Sequence, residues 1–189
     1  PNRLNDYQKW GFKKSSVTNR WKLNGFKDLP LGNFYRDQFH SFKVVPGNQI
    51  SSEAVLIYDG QREPSPRPHF LNDWLKNLHG NVSAIVDNNG MCHGFGRIRP
   101  CVLEDNSQGW RIGPLLADTP PFAELLIREL IGDLDSQILL DCSHLNPYAN
   151  YLLSSLGFEE ISNTYRMYRG IQPPCQMNQV YGLACLELG

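Results

Sequence analysis

The segment from residue 109 to residue 142 constrains the fold more than any other part of the sequence. It begins with GWRIGPLLA at 109–117, continues with a helical pattern, and ends with the continuous apolar run QILLDC at 137–142. Such a run is typical of a strand that is covered on both faces. A strand, a helix and a second strand in this order form a right-handed crossover. The sequence therefore predicts two parallel neighbouring strands in an α/β sheet.

Pro114 lies inside the first of these two strands. Proline has no backbone donor, so a strand tolerates it only at a bulge or at an unpaired edge. We therefore expect the sheet to open at this position. In the helix that follows, Thr119 is the candidate N-cap and Pro120 occupies the first helical position. The apolar stripe of this helix consists of Phe122, Leu125, Leu126, Leu130 and Ile131.

A hairpin and a helix are predicted before this unit. Asn89-Gly90 separates VSAIV at 82–86 from MCHGFGRI at 91–98, and Asn-Gly supplies the positive φ angles of a tight hairpin turn. Apolar residues recur at helical spacing in 69–79, which predicts an amphipathic helix with Gly80 as its C-cap.

Residues after the crossover predict one more helix and two strands. Asn146 is a candidate N-cap, Pro147 begins the helix and Gly157 ends it. Its buried stripe would be Ala149, Leu152, Leu153 and Leu156. The segments ISNTYRMYR at 161–169 and VYGLACLEL at 180–188 are rich in β-forming residues. We expect these two segments to form a closing antiparallel pair.

Composition excludes several functional classes. The 189 residues include 18 basic and 19 acidic side chains, so the net charge of -1 argues against a nucleic-acid partner. No apolar run approaches the roughly 20 residues of a membrane span, and no signal-peptide segment is present, so we expect no membrane partner and a cytoplasmic location. The five cysteines form no CxxC pair and lie mostly in apolar runs. This favours reduced buried thiols over a disulfide or zinc framework, and no metal site is predicted.

This order of elements, the proline-interrupted strand and the Asn-x-x-Ala-x-x-Leu-x-x-x-Leu-Gly-Phe helix at 146–158 resemble the GNAT superfamily of N-acetyltransferases over about residues 80–189. The resemblance implies an α/β fold with a mixed, mostly antiparallel sheet, a splayed central strand pair and helices on both faces. It also implies acetyl-CoA as co-substrate. The pantetheine arm would pair with exposed backbone in the gap, and the pyrophosphate would sit on the next helix N-terminus.

The resemblance places the pantetheine edge at Ile112 to Leu116 and the helix cap Asn146 beside the cofactor. The cofactor-binding residues expected on this basis are Ile112, Gly113, Leu115, Leu116, Thr119, Phe122, Ala123 and Asn146. Two features depart from the family pattern. The phosphate-loop pattern falls on Ala117, Pro120 and Phe122, which lack its glycines, and the usual general-acid tyrosine falls on Leu153.

Asp141 and His144 are the candidate catalytic residues. They lie at the C-terminal end of the central strand, where open α/β sheets bind ligands, and histidine titrates near neutrality. The same residue types fit simpler roles: His144 as a surface or capping residue, and the neighbouring Cys142 as a small buried hydrophobe.

Three arginines on the predicted strands fit two interpretations. Arg97, Arg99 and Arg111 form a basic wall toward CoA phosphates or an acidic substrate, or they pair with Glu104 and Asp105 across the strands. The sequence does not decide between these two interpretations.

Four stretches resemble the second domain of tandem-domain GNAT proteins: IRPC at 98–101, IGPLLAD at 112–118, TYRMYRG at 164–170 and LELG at 186–189. YQKWGF at 7–12 also repeats the end of the Gly-Phe helix, with Tyr7 at the general-acid position. On this interpretation residues 1–50 are the tail of a preceding GNAT-like domain plus a connection, and 51–189 are the C-terminal GNAT-like domain. The alternative is that YQKWGF is an ordinary aromatic helix end. Since residues 13–50 show no sustained apolar period, we expect residues 1–50 to lie on the core as an appendage.

The sequence thus predicts an acyl-CoA-dependent N-acyltransferase that transfers an acetyl group to an unidentified amine. The alternative is a degenerate, non-catalytic GNAT domain whose cleft is closed or filled, and which packs on or regulates a catalytic first domain. That partner domain would belong to the same chain or to a homodimer. A third hypothesis is a small-molecule or peptide sensor that uses the same cleft. The altered phosphate loop and Leu153 favour the degenerate domain, whereas the interrupted strand and Asn146 favour the enzyme.

Overall fold

The computed structural model describes residues 3–25, 27, 29, 40–63, 67–76, 79–171 and 174–186. The helices are α1 (Leu4–Lys9), α2 (Ser52–Gly60), α3 (Pro68–Lys76), α4 (Pro120–Ile131) and α5 (Pro147–Ser155). The strands are β1 (Lys13–Leu23), β2 (Phe42–Pro46), β3 (Asn81–Asp87), β4 (Cys92–Val102), β5 (Gln108–Ala117), β6 (Ile138–Ser143), β7 (Glu159–Tyr168) and β8 (Val180–Gly182). Short 3₁₀ turns cover Gly47–Gln49 and Met177–Gln179.

All eight described strands belong to one sheet, in the order β2-β3-β4-β5-β6-β1-β7, with β8 paired to β5. Among the strands of the described residues, only the β5–β6 pair is parallel, and α4 connects these two strands as the crossover helix. The other pairs are antiparallel. The predicted fold class, a mixed and mostly antiparallel sheet with helices, is confirmed.

The β3–β4 hairpin is confirmed at its predicted position, but of the Asn89-Gly90 pair only Gly90 has the expected positive φ. Gly90 has a φ of 79°, which glycine adopts without steric cost, and the Asp87 side chain accepts hydrogen bonds from the amides of Asn89 and Met91. Local turn chemistry therefore fixes this hairpin and the register of its strands.

Apolar side chains cover both faces of the sheet. On one face, α4 and α5 pack against the central strands, and Leu140 and Leu152 are buried there as the apolar patterns predicted. On the other face, α2 and α3 contribute Val55, Tyr58 and Leu71 to a second cluster against β4 and β5. We call the first surface the α4–α5 face and the second the α2–α3 face.

β1 is an interior strand, so the expectation that residues 1–50 lie on the core as an appendage is wrong for this segment. It runs antiparallel between β6 and β7, where Thr18 lies opposite Ser143 on one side and Thr164 on the other. Trp21 and Leu23 join the core of the α4–α5 face, whereas the alternate positions carry polar side chains. Because the strand presents so few apolar residues, its sequence gave no clear period-two signal.

The last two strands do not pair with each other, so the predicted closing antiparallel pair is wrong. β7 pairs with β1 at the end of the sheet, and β8 pairs with β5 near its centre. Strand pairing depends on partners far away in sequence, and β-propensity alone does not identify them.

α1 and α5 end in the same way, as the repeated Gly-Phe pattern suggested. Gly11 and Gly157 have φ angles of 86° and 82°. The amide of Phe12 donates to the Tyr7 carbonyl at 3.0 Å, and the amide of Phe158 donates to the Leu153 carbonyl at the same distance. These bonds from C″ to C3 are those of a Schellman motif. Each helix then leads into a strand, β1 or β7, and these two strands pair.

Candidate functional site

The sheet opens between β5 and β6, as the position of Pro114 predicted. These strands pair from Trp110–Ile138 to Ile112–Leu140, and their pairing stops there, directly before Gly113-Pro114. Beyond this point β5 and β6 no longer pair with each other. We call the space between the separated ends of β5 and β6 the strand gap.

The chain's own β8 lies in the strand gap. On the β5 wall of the gap, Leu115 and Leu116 pair with Gly182 and Val180. On the β6 wall, the Asp141 carbonyl accepts the amide of Leu183, the residue after β8, at 2.8 Å. The predicted exposed edge from Ile112 to Leu116 is therefore corrected: its outer part pairs with the protein's own backbone. An extended segment with hydrogen bonds to both walls occupies the position expected for pantetheine.

Asn146 lies at the strand gap and holds β8 there. Its Oδ1 accepts the Ala149 amide at 3.1 Å, which confirms the predicted N-cap of α5. Its Nδ2 donates to the Val180 carbonyl at 3.0 Å, and the residue is 0% exposed. One side chain thus stabilises both the start of α5 and the position of β8.

Gly113 lets β8 and the residues after it approach β5 closely. Its φ is 155°, and a Cβ at this position would lie 2.0 Å from the Leu183 carbonyl oxygen. Only glycine fits this contact without displacing Leu183. The cofactor role of Gly113 stays a prediction, and the role that the structure shows for this glycine is its close contact with Leu183.

The N-terminus of α4 offers little for a pyrophosphate. Thr119 occupies the N-cap position, but its side chain makes no capping hydrogen bond. Pro120 and Pro121 have no amide hydrogen, and the Ala123 amide donates to the Thr119 carbonyl at 3.1 Å. Phe122 is buried, with its ring 4.9 Å from the ring of Phe42. With β8 in the strand gap as well, the residues present do not fit acyl-CoA in this conformation.

The candidate catalytic residues Asp141 and His144 lie in different surroundings. Asp141 is 1% exposed and accepts from Arg20 through both oxygens, at 2.8 and 3.1 Å. His144 is exposed, and its Nδ1 accepts the Val17 amide at 2.9 Å. No hydrogen bond or ion pair between described residues joins Asp141 to His144. Asp141 thus holds β1 against β6, and the catalytic role of both residues stays a prediction.

The structure favours the simpler role for Cys142. Its side chain is buried, and burial raises the pKa of the thiol to about 12. A thiol with this pKa is protonated at neutral pH and is not a nucleophile. Leu153, at the position of the family's tyrosine, is also buried and has no proton to donate.

Sequence reasoning missed a polar network at the ends of β4 and β5. The Tyr58 hydroxyl donates to Asp118 at 2.8 Å, Arg62 donates to the same carboxylate at 2.6 Å, and His93 Nδ1 lies 2.8 Å from its other oxygen. Burial, more than the neighbouring charges, raises the pKa of Tyr58. Only the position of Asp118 directly after a predicted strand could have indicated this network, because its partners come from α2, from the turn after α2 and from β4.

Arg97, Arg99 and Arg111 lie together on the α2–α3 face. Within the part of the chain that the structure describes, no ion pair joins them to Glu104 or Asp105, and the Asp105 carboxylate accepts from Ser107 instead. Pairing across the strands with these two acidic residues is therefore not what the structure shows.

Among the helices of the described residues, none combines the length and apolar character required to cross a membrane.

Comparison with known proteins identifies the family. The family described as "Acetyltransferase (GNAT) domain" matches residues 55–182. This match covers more than half of the chain, which therefore belongs to the GNAT family.

Individual relatives are distant. A holothin acyltransferase from Pseudoalteromonas sp. is 25% identical over 191 residues, which covers 100% of this chain and 60% of that protein. The crystal structure of a putative acetyltransferase from Pyrococcus horikoshii superposes with a TM-score of 0.74 at 20% identity, covering 99% of this chain and 57% of the other. The crystal structure of an aminoglycoside 6'-N-acetyltransferase from Acinetobacter baumannii superposes with a TM-score of 0.53 at 12% identity. The match covers 69% of this chain and 99% of the other. The chain spans about 60% of the holothin acyltransferase, and the two structural likenesses concern the fold.

Proposed function

We propose, from its membership of the GNAT family, that this chain is part of an acyl-CoA-dependent N-acyltransferase. The observation that carries the proposal is the strand gap, which opens beside Pro114 and accepts one extended segment hydrogen-bonded to both walls. A pantetheine arm would bind in the same manner, by adding to exposed strand edges. The relative named as a holothin acyltransferase supports the class of reaction.

The finer parts of this proposal are the donor, the acceptor and the location. We take acetyl-CoA as the donor and an amine as the acceptor, as the family resemblance implies. A cytoplasmic location agrees with the free state of all five cysteines, which suits a reducing compartment.

An acylation assay tests the function. The chain is incubated with acetyl-CoA and a panel of amines that includes amino acids, polyamines, an aminoglycoside and holothin, and products are detected by mass spectrometry. We expect one class of amine to gain 42 Da, the mass of an acetyl group replacing a hydrogen, in an enzyme-dependent manner. Absence of product with every amine, together with absence of acetyl-CoA binding, would contradict the proposal.

The position of β8 favours a second candidate, a non-catalytic GNAT domain that supports a catalytic domain elsewhere in the protein. In this case β8 is a permanent part of the sheet, and neither acetyl-CoA nor CoA binds to the chain. Calorimetric titration separates the two candidates, because heat of binding contradicts the second and its absence contradicts the first.

We also propose that the chain is the C-terminal part of a tandem-domain protein. The shared Schellman ends of α1 and α5, each followed by a strand, support this arrangement as two copies of one unit. The intact mass of the protein isolated from its source tests it. We expect a mass well above the 21.6 kDa of this chain, and a value equal to it would contradict the proposal.

A further inference from the structure

Three arginines meet on the α2–α3 face, and the acyl transfer proposed above does not use them. Arg97 and Arg99 are two positions apart on β4 and therefore point to the same side, and Arg111 of β5 lies directly opposite Arg99. The guanidinium carbons of Arg97 and Arg99 are each 5.0 Å from the centre of the Trp74 ring. We call Arg97, Arg99 and Arg111 the arginine cluster.

The arginine cluster lacks matching negative charge among the described residues. Arg97 is 2% exposed and donates to the His79 carbonyl at 2.7 Å, but it forms no ion pair with a carboxylate of the described residues. Arg99 makes no hydrogen bond or ion pair with any described residue. Arg111 lies 3.8 Å from Asp141, a carboxylate that already binds Arg20. The Nε atoms of all three arginines are buried, and none has a hydrogen-bond partner among the residues that the structure describes.

This arrangement opposes stability unless an anion is bound. Like charges directly opposite each other on neighbouring strands repel, and a charge that leaves water without a partner is costly. Burial, and after it the neighbouring arginine charge, lowers the pKa of both Arg97 and Arg99. Cation–π contacts with one tryptophan offset only a small part of this cost.

The three arginines of the cluster differ in exposure. Arg97 is buried, whereas Arg99 and Arg111 are partly exposed and can be reached from solvent. Trp74 lies against Arg97 and Arg99 and is fixed by donating its indole N–H to the Gly113 carbonyl at 3.2 Å. The cluster therefore lies beside the interruption of β5, on the side of the sheet away from α4.

We propose that the arginine cluster is a binding site for a small molecule that carries a carboxylate or phosphate group. Guanidinium groups present planar sets of N–H donors that bind either group with two parallel hydrogen bonds. The bound anion would supply the negative charge that the described residues lack. This site does not require acyl-CoA and stands independently of the proposed acyl transfer.

Calorimetric titration with inorganic phosphate and with succinate, at constant ionic strength, tests the site and distinguishes the two anionic groups. We expect saturable binding of at least one of them to the parent chain. Arg99→Gln and Arg111→Gln should each weaken this binding about tenfold or more, the value of one lost hydrogen bond to a charged group. Arg169→Gln is the matched control, since Arg169 is exposed on the segment after β7, and it should leave the affinity unchanged.

Two results would overturn the site: no saturable binding of either anion to the parent up to about 10 mM, a limit that corresponds to very weak binding, or equal affinity in the parent, both cluster variants and the control. Circular dichroism establishes that each variant is folded, and Arg111→Gln decides the matter if Arg99→Gln does not fold. Anions should also raise the melting temperature of the parent more than that of Arg111→Gln, because binding stabilises only the folded state.

Discussion

Replacing Asn146 separates two contacts that depend on one buried side chain. Asn146→Ser keeps an oxygen that can cap α5 but cannot reach Val180, whereas Asn146→Ala removes both contacts. Loss of the bond to Val180 leaves a buried carbonyl without its donor, which costs about 1–3 kcal/mol. Loss of the cap costs about 1 kcal/mol more. We therefore expect the free energy of unfolding to fall by about 1–3 kcal/mol in the serine variant and by about 2–4 kcal/mol in the alanine variant.

Urea unfolding followed by circular dichroism measures these differences, and hydrogen exchange of β8 localises them. In Asn146→Ser, the amides of residues 180–183 should exchange faster while the first turn of α5 stays protected. Ser51→Ala is the control for capping alone, because Ser51 caps α2 and its side chain makes no hydrogen bond to the described residues of β8. The reasoning is refuted if Asn146→Ala costs no more than Ser51→Ala, or if Asn146→Ser leaves the exchange of β8 unchanged.

Three further predictions follow from buried side chains. Leu140→Ala should lower the free energy of unfolding by about 2–5 kcal/mol because it leaves a cavity in the core, and a loss below about 1 kcal/mol in urea unfolding would contradict its burial. Asp141→Asn should cost about 3 kcal/mol because it removes the charge of the buried carboxylate that accepts from Arg20, and equal stability of variant and parent in the same assay would show that the pair is neutral. Burial raises the pKa of the Cys92 and Cys142 thiols to about 12, and only as the pH rises toward this value does the reactive thiolate form. Both thiols should therefore resist a thiol reagent at pH 8 until urea unfolds the chain, and rapid labelling of the native protein at either position, detected by peptide mass spectrometry, would contradict this.

Elements with strong local signals were predictable from the sequence. A few neighbouring residues determine each of three such elements: the Asn89-Gly90 turn, the crossover through α4 and the capped helix α5. The opening beside Pro114 was predictable for the same reason, because a missing backbone donor limits strand pairing wherever the strand lies. Asn146 was correctly predicted as the N-cap of α5.

Features that depend on distant partners were not predictable. β1 has few apolar residues, and only its position between β6 and β7 makes it a strand of the core. β8 has three residues, and nothing local indicates that it fills the strand gap. α2 was missed although Ser51 caps it, because its nine residues show little apolar periodicity. The sequence indicated that the three arginines of the cluster could lie together, but it could not show that Arg99 faces Arg111 rather than an acidic residue, because this depends on the register of β4 and β5.

Calorimetric titration of the parent chain and of Asn146→Ser with acetyl-CoA tests directly whether the strand gap is an acyl-CoA site. If β8 and acetyl-CoA compete for the gap, loosening β8 lowers the free energy needed to displace it. We expect acetyl-CoA to bind at least about fivefold more tightly to Asn146→Ser, because the lost bond to Val180 removes at least about 1 kcal/mol of β8 docking. Absence of binding in both proteins, or equal affinity in the two, would contradict competition for this gap.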